Sequence, residues 1–227
     1  MKIIVSIFLL SLPYFAAAQF SKGQVYLGGS MTASSSHNDS NSPNVVVNPD
    51  KNSSLSISPV LGYFLSPNLA VGGTVGYSTS SSESSFVNTI YDNNNNPINV
   101  NANSKTVTKG FTVGSFARYY VPISNSFYFA AQGQINFTRS NSNYTLTNGA
   151  PVNQEVSNQT PSYAVAVTIK PVFIFFPSPK WGIEASVGSL GYNYQRELPD
   201  VHSSTTFSLG AGQFSFGLAY YFARKAK

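Results

Sequence analysis

Few side chains in this sequence are equipped for chemistry, and their spacing narrows the choice. There is no Cys, so thiolate nucleophiles, disulfides and thiolate metal sites are excluded. His37 and His202 are the only imidazoles, too few for a zinc site of the usual kind. Asp200, His202, Ser203 and Ser204 lie together near the C-terminus and hold the residue types of a hydrolytic triad, but adjacency in sequence is not triad geometry. In a chain this rich in Ser the coincidence is cheap, and we read these residues, like His37, as solvated loop. The sequence points to no catalytic residue, no cofactor and no metal site. A more selective group is Arg118, Lys170 and Glu184, three ionisable residues on the small or polar phase of otherwise apolar segments. Lys170 and Glu184 flank the turn at 177–180 at nearly matching distances, so they should approach across a β ladder. Buried charges are tolerable when paired, and the expectation is an ion-pair network of Arg118, Lys170 and Glu184 inside a sheet structure.

The elements that would position them follow from composition and period. Charged residues make up 9% of the 227, against roughly 25% in an average globular chain. Phe, Tyr, Gly, Ser, Asn and Thr dominate, a composition suited to strands and irregular connections. Apolar and polar residues alternate in eight segments, roughly 24–34, 55–64, 69–80, 107–120, 127–139, 163–176, 181–194 and 205–222. No apolar stretch of the mature chain reaches the ~20 residues of a spanning helix. Connections alternate between tight (65–68, 121–126, 177–180) and long and polar (35–54, 81–106, 140–162, with a shorter 195–204). Pro59, Phe64, Ser66, Pro67, Val75 and Gly76 recur 112 positions later as Pro171, Phe176, Ser178, Pro179, Val187 and Gly188, so the repeating unit is a hairpin that cannot bury its apolar face alone.

Closure into a barrel solves that problem, and the faces say which way round. Leu69, Val71, Val75 and Tyr77 alternate with Ala70, Gly72, Thr74, Gly76 and Ser78, and the second face is small or polar and almost free of charge. A soluble barrel would put charge outside and bulk inside, so the bulky face meets lipid. Tyr63, Tyr119 and Trp181 sit beside the short turns as an interfacial girdle. Pro59 and Pro171 lie on the lipid-facing phase and predict local bulges, and a phase change between Leu209 and Phe214 predicts another. Lys2, the apolar run 3–15 and Ala16-Ala17-Ala18 read as a secretory signal cleaved after residue 18, leaving 19–227 as one barrel domain.

The opening Gly23-Gln24-Val25-Tyr26-Leu27-Gly28-Gly29, the hairpin Pro59-Val60-Leu61-Gly62-Tyr63-Phe64 to Leu69-Ala70-Val71-Gly72 and the closing Phe214-Ser215-Phe216-Gly217-Leu218-Ala219-Tyr220-Tyr221-Phe222 resemble the small eight-stranded outer-membrane β-barrel family of the OmpA transmembrane domain, OmpX and Ail. The resemblance covers the mature chain almost end to end. It implies an all-β, antiparallel up-and-down transmembrane barrel with short periplasmic turns and long extracellular loops. It implies too that Phe214, Phe216, Leu218, Tyr220 and Phe222 form the closing signal read by the barrel-assembly machinery. The tail Ala223-Arg224-Lys225-Ala226-Lys227 departs from the pattern, since members commonly stop at the aromatic. The expected role is non-enzymatic: outer-membrane lipid around the wall and a surface ligand at the loops, with a narrow pore or a lipid A-modifying barrel enzyme as alternatives. The formal charge of +5 is not a nucleic-acid footprint, because no Lys- and Arg-rich face or stacking platform appears.

Overall fold

The computed structural model describes residues 20–38, 50–91, 94–148, 155–198 and 202–222. The signal segment 1–18, the tail 223–227 and Asp200 lie outside them. Eight strands follow in chain order: β1 Val25–Asn38, β2 Asp50–Ser66, β3 Leu69–Tyr91, β4 Pro97–Ser124, β5 Phe127–Asn148, β6 Glu155–Ser178, β7 Trp181–Glu197 and β8 Ser203–Tyr221. Each pairs antiparallel with its neighbours, and β8 returns to β1, so the sheet is a closed eight-stranded up-and-down barrel. Tight turns at Pro67-Asn68, Asn125-Ser126 and Pro179-Lys180 join the strands at one end.

Alternation sets the wall. Leu61, Tyr77, Phe111, Val113, Ile135, Phe137 and Ile183 face outward and are exposed, while their neighbours turn into the lumen. On β4 the outward face carries no charge from Tyr119 to Phe111 and Lys109 ends it, and at about 3.4 Å per residue with a tilt of roughly 40° the uncharged stretch is roughly 21 Å tall, close to the apolar band of about 25 Å on outer-membrane barrels. An exposed apolar band on every strand marks a transmembrane barrel.

Two glycines let the lumen fill. Gly62 pairs with Tyr26 and Gly72 with Phe116. A Cβ at Gly62 would run into the Tyr26 ring, and one at Gly72 into the Leu61 carbonyl oxygen as well as the Phe116 ring. A ring can rotate, whereas a ladder carbonyl cannot. Gly72→Ala should therefore lower the unfolding free energy of the refolded barrel by about 1–3 kcal/mol, the range for overpacking. An unchanged midpoint in urea would show that the sheet yields there.

The long connections differ from the sequence reading. β3 and β4 stay paired from Leu69↔Tyr119 to Tyr91↔Pro97, so residues 81–106 form a projecting hairpin and not a loop. β5 and β6 stay paired up to Thr147↔Glu155, which makes most of 140–162 strand as well. Ser and Asn ordinarily favour turns because they bond their own backbone. Here they bond across the ladder: Ser84 to Ser104 at 2.8 Å, Ser85 to Asn103 at 2.6 Å, Thr108 to Ser142 at 2.8 Å and Ser140 to Ser162 at 2.8 Å.

Away from the turns, two register shifts interrupt the described ladders. The β6–β7 register shifts between Ile169 and Val172, so that Lys170 and Pro171 stand opposite Val187, Gly188 and Ser189 and the expected irregularity at Pro171 is present. Pro59 breaks the β2–β3 ladder without shifting it, since Ile57↔Tyr77 and Val60↔Thr74 keep one register, so the expected bulge there is absent. Between β7 and β8, residues 211–213 stand opposite Gly188 alone, whose φ of 71° allows the kink. β8 leaves β1 before this bulge is reached: their ladder extends only from Tyr26↔Tyr221 to Ser30↔Gly217.

Candidate functional site in the barrel lumen

The lumen is built in two storeys. At the short-turn end, Tyr26, Phe64, Tyr120, Tyr128, Phe176 and Tyr221 point inward and are buried. Phe20 closes this floor. A turn at Gly23, with φ 87°, folds the chain start back under the barrel. The Phe20 ring then stacks on Phe64 at 4.6 Å and meets Tyr120, Tyr128 and Tyr221 within 5.3 Å. The expectation of a small or polar inner face misses this floor. A signal was available: Tyr63-Phe64, Tyr119-Tyr120, Phe127-Tyr128, Phe175-Phe176 and Tyr220-Tyr221 are adjacent aromatics, and alternation must turn one of each inward. Tyr63 and Tyr119 are the exposed members of their pairs, and Trp181 is exposed beside the third turn.

Above the floor lies the polar storey. Arg118 on β4 is 4% exposed and its Nη1 meets Glu184 Oε1 on β7 at 2.7 Å. Its Nε and Nη2 both donate to Gln132 Oε1, at 2.8 and 2.6 Å, and Gln132 Nε2 donates onward to Gln134. The guanidinium also lies 5.7 to 5.8 Å from the Tyr26, Phe116 and Tyr120 ring centres, so cation–π contact joins the two storeys.

Lys170 takes a different place from the one its spacing suggests. The ladder sets Ile174 opposite Glu184 and Lys170 opposite Gln132, and the shift at Pro171 leaves Lys170 without a ladder partner on β7. Glu184 pairs with Arg118 and forms no ion pair with Lys170 among the described residues. All three border one cavity of about 290 Å³ with Gln132, Gln134, Asn136 and Ser186. Its formal charge is +1.

The remaining candidates do not converge. Ser203 and Ser204 pair with Arg196 and Gln195 at successive strand positions, so their side chains leave opposite faces of the sheet. His202 is exposed at the β8 end, and His37 sits opposite Lys51 on the first hairpin. Among the described residues no three of His, Cys, Asp and Glu cluster. Phe214, Phe216 and Leu218 face outward on β8, and Phe222 follows its last residue.

No family model and no curated protein matches the chain. Among solved structures, Neisserial surface protein A aligns with 88% of this chain and 98% of its own at 15% identity, with a TM-score of 0.41. Ail, the attachment invasion locus protein of Yersinia pestis, aligns with 88% and 99% at 13% identity and a TM-score of 0.33. The outer membrane protease OmpT from Escherichia coli aligns with 88% and 79% at 11% identity and a TM-score of 0.40. At these values no activity carries over to this chain.

Proposed function

We propose that this chain is a non-enzymatic barrel of the bacterial outer membrane, exported through a signal cleaved after residue 18, which displays stiff polar hairpins at the cell surface. Phe214, Phe216, Leu218, Tyr220 and Phe222 then serve the assembly machinery, and the exposed band meets lipid. The observation that carries the reading is the β3–β4 hairpin, which continues as paired strand to Tyr91↔Pro97. Its outer part presents Phe86, Val87 and Tyr91 among Ser, Thr and Asn, and Lys105 meets Glu83 at 2.6 Å, holding that carboxyl below its ordinary range. Of the apolar residues in this projecting ladder Val100 and Ala102 are buried, and neither belongs to the aromatic core of the barrel, which suits a recognition surface.

The test uses a chain with no native Cys. Asn94→Cys should react with a membrane-impermeant maleimide on intact cells, and Ser178→Cys only after lysis. Outside labelling of Ser178→Cys would invert the topology and overturn the reading. The register also says how to shorten the hairpin. Removing 85–103, between the paired Ser84 and Ser104, takes equal lengths from both arms. That variant should insert normally and lose any adhesive phenotype of cells carrying the parent.

A further inference from the structure

The β1–β8 seam has an opening on one side of the polar storey. Above Ser30↔Gly217 the strands no longer pair, although β1 continues to Asn38 and β8 begins at Ser203. Thr32, Ser34 and Ser36, whose phase is inward, are exposed, as are Ser204, Thr206 and Ser208 across the seam. Gly29, Ser30, Ser215, Phe216 and Gly217 of the same seam border the cavity that holds Arg118, Lys170 and Glu184. Phe216 faces outward and is 66% exposed, yet it edges the lumen, as expected where the wall parts. Met31, Leu209 and Phe214 flank the gap on the lipid side and are also exposed. Unpaired backbone groups at hydrocarbon depth are costly unless a polar guest reaches them. The cavity, with one more cation than carboxylate, favours an anionic guest.

We infer that the lumen takes the carboxylate headgroup of a single-chain fatty acid from the bilayer through this seam, with Lys170 as its counter-ion and the acyl chain left between Met31 and Phe216. A cavity of about 290 Å³ has room for about ten water-sized groups, enough for a carboxylate and its first methylenes. Lys170 is free for this role because Glu184 is engaged by Arg118. The inference depends on the barrel spanning a membrane and not on what the hairpins recognise, so the maleimide experiment above can fail without it.

The experiment uses the refolded full chain in zwitterionic detergent and a fluorescent long-chain fatty acid. Saturable binding is expected, at least tenfold weaker for the fatty alcohol of the same chain and at least tenfold weaker for Lys170→Met. The double variant Met31→Cys/Phe216→Cys continues the register past Ser30↔Gly217, and its oxidation should close the seam, abolish binding and leave it recoverable on reduction. Heat-modifiable migration on a gel checks that each variant is folded. Equal binding of the alcohol, undiminished binding by Lys170→Met, or full binding by the oxidised variant would each overturn the inference. So would a disulfide formed between two chains in place of one across the seam, which would make a second copy the partner of these edges.

Discussion

Glu184→Ala is expected to lower the unfolding free energy of the refolded barrel by about 3 to 5 kcal/mol, because it leaves a buried guanidinium without its carboxylate. Arg118 is 4% exposed and Glu184 14%, so water from the cavity they border replaces the lost carboxylate only in part and brings no charge. Gln132 still accepts from Arg118 but brings no charge. Replacing both members, Arg118→Met with Glu184→Met, should recover much of the loss, since neither charge is then stranded. Lys170→Met should change stability far less, because Lys170 has no ion pair among the described residues. The sole Trp, Trp181, gives a fluorescence signal for urea unfolding in detergent. A Glu184→Ala midpoint equal to the parent's would remove the pair from the account of stability, and a large Lys170→Met effect would reassign it.

Phe20→Ala should cost a comparable amount, about 3 to 5 kcal/mol, by emptying the centre of the aromatic floor. Phe20 is 3% exposed and contacts rings from β2, β4, β5, β6 and β8, so its removal leaves a void bordered by five strands. Those strands are held apart by their own ladders and cannot collapse into the space. The remaining rings still close the lumen, and neither parent nor variant should show steady conductance in planar bilayers. Steady conductance from the parent would favour the narrow-pore alternative. A variant as stable as the parent would mean that Phe20 rests on the floor without supporting it.

The architecture was legible in the chain itself. Period-two alternation, three tight turns and a scarcity of charge are local properties, and together they specify eight strands, their short connections and the bulky face that meets lipid. Arg118, Lys170 and Glu184 could be assigned to the lumen for the same reason, since strand phase is read one residue at a time. Which of them meet could not. Partnership depends on register, and the β6–β7 ladder sets Ile174, four residues beyond Lys170, opposite Glu184, while Arg118 arrives from a position 66 residues away in the chain. The projecting hairpins were hidden because Ser and Asn favour loops locally and become strand only when a partner across the ladder accepts their side chains. Phe20 was hidden for a third reason: it lies outside every strand, and only the closed barrel creates the floor it fills. The seam follows the same rule, since the extent to which β8 pairs with β1 is a contact between the first strand and the last and leaves no mark in either strand's own alternation.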